Sequence, residues 1–304
     1  MKAAVYTKTK TGKTLEIKDV DQPVPKSNEV LIRVRAASVN PLDWRLKSHR
    51  PGVDVAGEVA AAGENVTRFK VADAVFGTCK GAFAEYACTS SAELVAKPEH
   101  LTYEEAACLP IAGLTALQGL RDKARLRTGQ RVLINGAAGG VGTFAVQIAR
   151  SLGAEVTAVT STGNVEMVRS LGAAEVIDYR QEDFTLIDRK HEAILDNVGN
   201  RTFASLRRVM APRARCVLAG MPKEMGAVTW RLLRALTWPP FLEQKFRFFV
   251  AKMNVDDLAT LCDLAKRGEL KPMIAASYTL SEMAEAIGLV EGGHAAAKVV
   301  ITVP

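Results

Sequence analysis

The run Arg131-Val-Leu-Ile-Asn-Gly-Ala-Ala-Gly-Gly-Val-Gly-Thr-Phe-Ala-Val-Gln-Ile-Ala149 constrains this chain more than any other segment. It reads as a short apolar strand, a tight glycine turn and a helix. Within it, Ala137-x-Gly139-x-x-Gly142 matches the dinucleotide-binding pattern, with Ala at the first glycine position. Small residues let the backbone approach a pyrophosphate, and the opening helix directs free N–H groups and its positive dipole end at the phosphates. Alone, such a match is weak. The strand–turn–helix setting raises it above an ordinary turn. The contacts expected there are Ala138, Gly139, Gly140, Val141 and Gly142.

The motif begins well inside the chain, so a long segment precedes it. At 304 residues there is room for two domains, each with its own core. The first third reads as β-rich: strands are expected at 29–37, 54–60, 74–78 and 82–88, separated by Gly and Pro. From about Leu114 the pattern changes to alternating strands and helices. Strands are expected at 132–135, 155–160, 175–178, 191–196, 215–219 and 245–250, with a helix over 164–171. Such βαβ units imply a parallel sheet covered by helices on both faces. An amphipathic helix over 255–268 and a strand over 298–303 close the chain. The fold class is therefore α/β: a doubly wound parallel sheet of Rossmann type plus a β-rich domain.

Hydrophobic content of 48% with 24% charged residues is that of a water-soluble globular chain. No apolar run is long enough to span a bilayer, and the N-terminus lacks the apolar stretch of a signal peptide. Five scattered cysteines suggest free thiols in a reducing, cytoplasmic setting. The net charge of +7 suits phosphate-bearing ligands. No motif points to a nucleic acid or membrane partner, and none is expected.

Several further segments keep a fixed order along the chain. They are Val39-Asn-Pro-Leu-Asp-Trp44, Pro51-Gly-Val-Asp-Val-Ala-Gly57, Phe83-Ala-Glu-Tyr86, Leu109-Pro-Ile-Ala-Gly-Leu-Thr-Ala116, Ile194-Leu-Asp-Asn-Val-Gly199 and Ala297-Lys-Val-Val300. With the glycine turn they make the chain resemble the medium-chain dehydrogenases/reductases, in particular their zinc-free quinone-oxidoreductase branch. The resemblance implies a GroES-like, β-rich substrate domain over 1–112 and 254–304, and a Rossmann domain inserted over 113–253. It also implies that the loop between Trp44 and Pro51 is short for the family.

Zinc members of the superfamily ligate their metal with Cys, His and acidic residues at positions that here read Asn40, Val53, Asp54 and Ala112. Val53 cannot ligate, and the four histidines, read as surface or loop residues, have no metal-ligand spacing, so no metal is expected. Tyr6-Thr-Lys-Thr-Lys10 matches a reductase proton-transfer spacing, but it lies far upstream of the glycine turn and reads as coincidence. The chemistry then rests with a nicotinamide, which the protein must align with its acceptor. The resemblance puts Asn40 and Thr115 beside the nicotinamide and substrate. An Asn amide can hydrogen-bond a substrate carbonyl or a ribose hydroxyl; turn capping is the competing role of Asn40. Asp43 can orient its neighbours or serve in a salt bridge. No general acid stands out.

An NAD site usually ends its second strand in Asp or Glu. Here that strand runs into Thr160-Ser161-Thr162-Gly163-Asn164. Ser161 and Thr162 can donate to a 2′-phosphate, and the resemblance brings Tyr179 to the same pocket, with Arg180 available for charge. NADPH is therefore the expected cofactor. Its remaining contacts, at strand ends, are Asn197, Val198, Gly199, Ala219, Gly220, Phe248 and Phe249, and Lys298 is expected to reach a phosphate or ribose. The resulting expectation is a zinc-independent, NADPH-dependent oxidoreductase that passes a hydride to a small-molecule electron acceptor, a quinone or related conjugated carbonyl. Its alternatives are an alkene (enone/enal) reductase and an NADPH-binding sensor or RNA-binding protein with little turnover. A homodimer through residues near 245–250 is expected, unless Trp230–Leu242 covers that edge.

Overall fold

The computed structural model describes residues 1–9, 12–45, 48–220, 243–293 and 295–304. Lys10, His294 and the segment Trp230–Leu242 lie outside the described residues. The chain packs as two units. One comprises Met1–Gly113, Met253–Arg267 and Pro272–Pro304; the other comprises Leu114–Lys252 and Gly268–Lys271.

In the first unit, β1 (Lys2–Thr9) and β2 (Gly12–Asp19) form an antiparallel hairpin. A second sheet runs β14 (Ile274–Thr279), β15 (Lys298–Thr302), β3 (Glu29–Ser38), β4 (Asp54–Ala62), β5 (Ala74–Thr78) and β7 (Leu94–Ala96), with β6 (Tyr86–Ser90) also pairing β3. The expected strand over 82–88 thus forms later, at Tyr86–Ser90. Alternating apolar residues of these strands point one way, so Val30, Ile32, Val34, Val55, Val59 and Ile301 share one core. Met283, Ala286 and Ile287 of α8 (Met283–Gly292) close over it. Each fully buried aliphatic side chain stabilises the unit by about 1.5–3 kcal/mol. The short helix α1 (Pro41–Arg45) follows β3, and α2 (Tyr103–Cys108) and α3 (Pro110–Gln118) follow β7. A capping box between Thr102 and Glu105 starts α2, and Asn254 caps α7 (Val255–Lys266) through Asp257 N.

The second unit holds a parallel sheet in the order β10 (Glu175–Asp178), β9 (Glu155–Thr160), β8 (Arg131–Asn135), β11 (His191–Asp196), β12 (Met210–Leu218), β13 (Lys245–Phe248). Numbered from the first strand of the unit, this is the 3-2-1-4-5-6 order of the Rossmann fold. The order reverses between β8 and β11, and ligands of such sheets bind beyond the carboxyl ends of the strands at that point. One face packs Leu133, Ile194, Cys216 and Phe246 against Phe203 and Leu206 of α6 (Phe203–Arg208). The Phe203 and Phe246 rings stack with centroids 4.2 Å apart. Helix α4 (Gly140–Ser151) packs on β8 and β9. The expected helix over 164–171 divides into a 3-10 turn, Thr162–Asn164, and α5 (Val165–Ser170). The last strand ends at Phe248, short of the expected 250, and β12 begins at Met210 instead of 215. A π-helical turn, Gly119–Ala124, packs on β11 and β12.

Candidate functional site

The glycine turn sits at the reversal of strand order. Gly136, just after β8, has φ +77°, a conformation open to glycine without strain. Gly139 is the N-cap of α4 and makes no side-chain capping bond, so the first-turn N–H groups of Gly140, Val141 and Gly142 face outward without an intrahelical acceptor. The two glycines of the pattern, Gly139 and Gly142, differ. A Cβ on Gly142 would lie 2.1 Å from Gly136 O and 2.6 Å from Ala137 C, so this glycine lets the helix close on the turn. A Cβ on Gly139 would meet only Gly136 O, at 3.5 Å; the space beside it is open. Ala137 and Ala138 are buried in the turn.

The neighbouring strand ends are fixed by Asp196, a residue the sequence reading passed over. Its Oδ1 accepts Asn135 Nδ2 at 2.9 Å, Val198 N at 3.3 Å and Gly199 N at 2.9 Å. Its carbonyl accepts Ala219 N and Gly220 N. A Cβ on Gly220 would meet Asn197 O at 1.9 Å, so the ends of β11 and β12 approach as closely as glycine allows. Asn197, Val198, Gly199, Ala219 and Gly220 are thereby brought together beside the turn. Both polar atoms of the Asn197 amide are buried with no hydrogen-bond partner among the described residues. That orphaned amide, the uncapped helix start and the open space at Gly139 fit a dinucleotide's phosphates and ribose. Phe248 instead packs with the core that holds Phe203 and Phe246, and the Phe249 ring lies against Gly119.

The outer end of this region differs from expectation. The Thr162 hydroxyl, expected to donate to a 2′-phosphate, donates to Asp178 Oδ2 at 2.6 Å. Asp178 ends β10 in register with Thr160 at the end of β9, and also accepts Arg180 N and Gln181 Nε2. The Thr162 bond, with those of Arg180 and Gln181, holds its carboxyl below the usual range. A carboxylate therefore does stand at the strand ends, supplied by the third strand and not the second. The Ser161 hydroxyl accepts Asn164 Nδ2 at 3.1 Å, and Tyr179 is half exposed.

In the first unit, a polar cluster is buried among apolar strands. Asp54 opens β4 opposite Ser38 of β3. Asp54 Oδ2 accepts Ser38 Oγ at 2.7 Å and Asn40 Nδ2 at 2.8 Å, and Lys298 Nζ lies 3.5 Å from it. Asp54 Oδ1 accepts the backbone N–H of Ile111 at 3.0 Å, in the first turn of α3, the helix that carries Thr115. Lys298 also donates to Asn40 Oδ1 at 2.8 Å and to Val39 O at 3.2 Å. This corrects the expected reach of Lys298 to a phosphate or ribose: its side chain is 2% exposed and its ammonium is engaged by these acceptors. Among the described residues, Asp43 forms no salt bridge. It accepts Asn40 N at 2.7 Å and Gly52 N at 3.1 Å, clasping the two ends of the short 41–51 loop. Burial pushes its carboxyl up to about 7, against the opposing pull of those two N–H bonds.

Among the described residues, no three His, Cys, Asp or Glu side chains gather to hold a metal. Burial raises the thiol of Cys79 and pushes that of Cys108 up to about 12, and no disulfide forms among the described residues. His191, read from the sequence as a surface or loop residue, is fully buried on β11, with ring nitrogens on Val209 O and Thr157 Oγ1. Burial lowers its pKa. Strand alternation placed it inward, a signal present in the sequence. No helix among the described residues is long and apolar enough to cross a membrane.

Residues 26–99 match the alcohol dehydrogenase GroES-like domain, and residues 171–301 match the zinc-binding dehydrogenase family. The structure is similar over 100% of this chain and 99% of the other to a quinone oxidoreductase from Coxiella burnetii, at TM-score 0.86 and 28% identity. These matches and the two folds place the chain in the medium-chain dehydrogenase/reductase superfamily. The sequence is 31% identical to the chloroplastic quinone-oxidoreductase homolog of Spinacia oleracea, covering 93% of this chain and 92% of the relative. It is 32% identical to a 2-methylene-furan-3-one reductase of Solanum lycopersicum, covering 99% of this chain and 79% of the relative. Within the superfamily, the chain belongs to the quinone oxidoreductase-like family.

Proposed function

We propose that this protein is an NADPH-dependent oxidoreductase that reduces quinones or related conjugated carbonyls without a metal. The observation that carries the proposal is the glycine turn at the strand-order reversal, with its uncapped α4 start and the orphaned Asn197 amide beside it. When bound, a nicotinamide supplies the hydride. The N–H groups of Gly140, Val141 and Gly142 hold its phosphates, and the Asp196-fixed ends at 197–199 and 219–220 hold the rest of the dinucleotide. Ser161, Tyr179 and Arg180 favour the 2′-phosphate, and Asp178 limits that preference by charge. Asn40 and Thr115 serve the nicotinamide and acceptor, with Asp43 shaping the loop beside Asn40. Val53, an apolar side chain where zinc relatives ligate metal, supports metal independence.

Reduction of an activated alkene is the second reading, favoured by the tomato relative's named activity. The test is NADPH oxidation measured against quinones, enones and aldehydes, with and without a chelator. Turnover on quinones that survives chelation is expected. Turnover on none of the three acceptor classes, or activity that needs zinc, would overturn the proposal.

A further inference from the structure

An asparagine amide offers two N–H donors and one oxygen with two lone pairs. Its role toward a ligand depends on which of these its own protein leaves open. In Asn40 the two donors go to Ser38 O at 3.2 Å and Asp54 Oδ2 at 2.8 Å, and the oxygen receives Lys298 Nζ at 2.8 Å. A carboxylate only accepts and an ammonium only donates, so the pair fixes which way the amide faces. Turning it over would set NH₂ against NH₃⁺ and oxygen against carboxylate. Each partner is itself held. Asp54 also takes Ser38 Oγ and Ile111 N, and Lys298 also donates to Val39 O. Asp54 is 0% and Lys298 2% exposed, so water does not compete for either. What Asn40 retains for a ligand is the second lone pair of Oδ1.

We infer that Asp54 and Lys298 are positioning residues that make Asn40 a hydrogen-bond acceptor, so that it binds a ligand's hydroxyl and not a carbonyl oxygen. The inference rests on the reading of Asn40 as a ligand-facing residue. Two ligands bring such a hydroxyl: the ribose of the dinucleotide and the reduced, hydroquinone form of the acceptor. A quinone carbonyl would meet Asn40 Oδ1 lone pair to lone pair.

Solvent exchange of the Asn40 side-chain NH₂, followed by NMR in ¹⁵N-asparagine-labelled protein, tests the orientation without any mutation. Slow exchange in the ligand-free protein, unchanged by NADPH, is expected; rapid exchange, the mark of donors awaiting a ligand, would overturn it. The charge-balanced double variant Asp54→Asn/Lys298→Met removes the pair while burying no lone charge. It should melt within a few degrees of the wild type. If the ribose is the source of the hydroxyl, its NADPH Kd rises at least tenfold. If hydroquinone is the source, NADPH Kd is unchanged and product inhibition weakens at least tenfold. Wild-type NADPH binding and product inhibition in the double variant would show the pair to be structural only. Absence of NADPH oxidation by the wild type would instead defeat the functional reading, and the exchange measurement would still decide the orientation.

Discussion

At the scale of single residues, two carboxylates carry the clearest consequences. Asp43 is buried, with Asp54 and Lys298 as its charged neighbours, and its carboxyl is raised to about 7. The folded protein therefore binds a proton there that the unfolded chain releases near the ordinary carboxylate value. Its contribution to stability is fullest below that value and is lost as pH rises to about 7, with no further change above. At about 1.4 kcal/mol per unit, the loss is a few kcal/mol. Thermal melts from pH 4.5 to 8 should fall across this window in the wild type and flatten in Asp43→Asn. An equal slope in both would assign the titration elsewhere. Asp178 acts on the cofactor. Its charge stands beside Thr162, where a 2′-phosphate is expected, and like charges there repel. Asp178→Asn should therefore raise the preference for NADPH over NADH in binding titrations; an unchanged ratio would remove Asp178 from the pocket.

At the scale of elements, the two turn glycines have separable duties. Gly142 allows α4 to close on the turn, so Gly142→Ala forces a Cβ into Gly136 O and should destabilise the second unit by about 1–3 kcal/mol. Gly139→Ala meets no such obstacle and should leave the melting temperature unchanged while weakening NADPH binding at least tenfold. Equal behaviour of the two variants in melts and titrations would contradict this division. The turn and the parallel sheet were legible in the sequence because both depend on local pattern: glycine spacing after an apolar run, and regular alternation of strand and helix. The buried cluster was not. Asn40, Asp54 and Lys298 lie far apart in sequence and meet only when β15 pairs β3 and β3 pairs β4. The Thr162–Asp178 bond was missed for the same reason, since it depends on the pairing of β9 with β10. The lysine read as reaching for a phosphate is drawn inward by an acceptor set that no local window contains.

At the scale of the whole molecule, β13 forms one edge of the parallel sheet among the described residues of the second unit. An edge strand left open invites pairing, and a two-fold contact is the commonest soluble assembly. We propose a homodimer through β13. Sedimentation at micromolar concentration should give a dimer mass that Phe248→Pro reduces to a monomer; a wild-type monomer would refute the edge contact. The central claim is that the glycine turn holds a nicotinamide dinucleotide whose hydride passes to an acceptor. Its most direct measurement is single-turnover oxidation of NADPH deuterated at the transferred position, with a quinone in excess, in the wild type and Gly139→Ala. A saturable rate with a primary isotope effect in the wild type, with saturation lost in Gly139→Ala, is the predicted result. A rate equal to that without protein, or saturation untouched by Gly139→Ala, would contradict the claim.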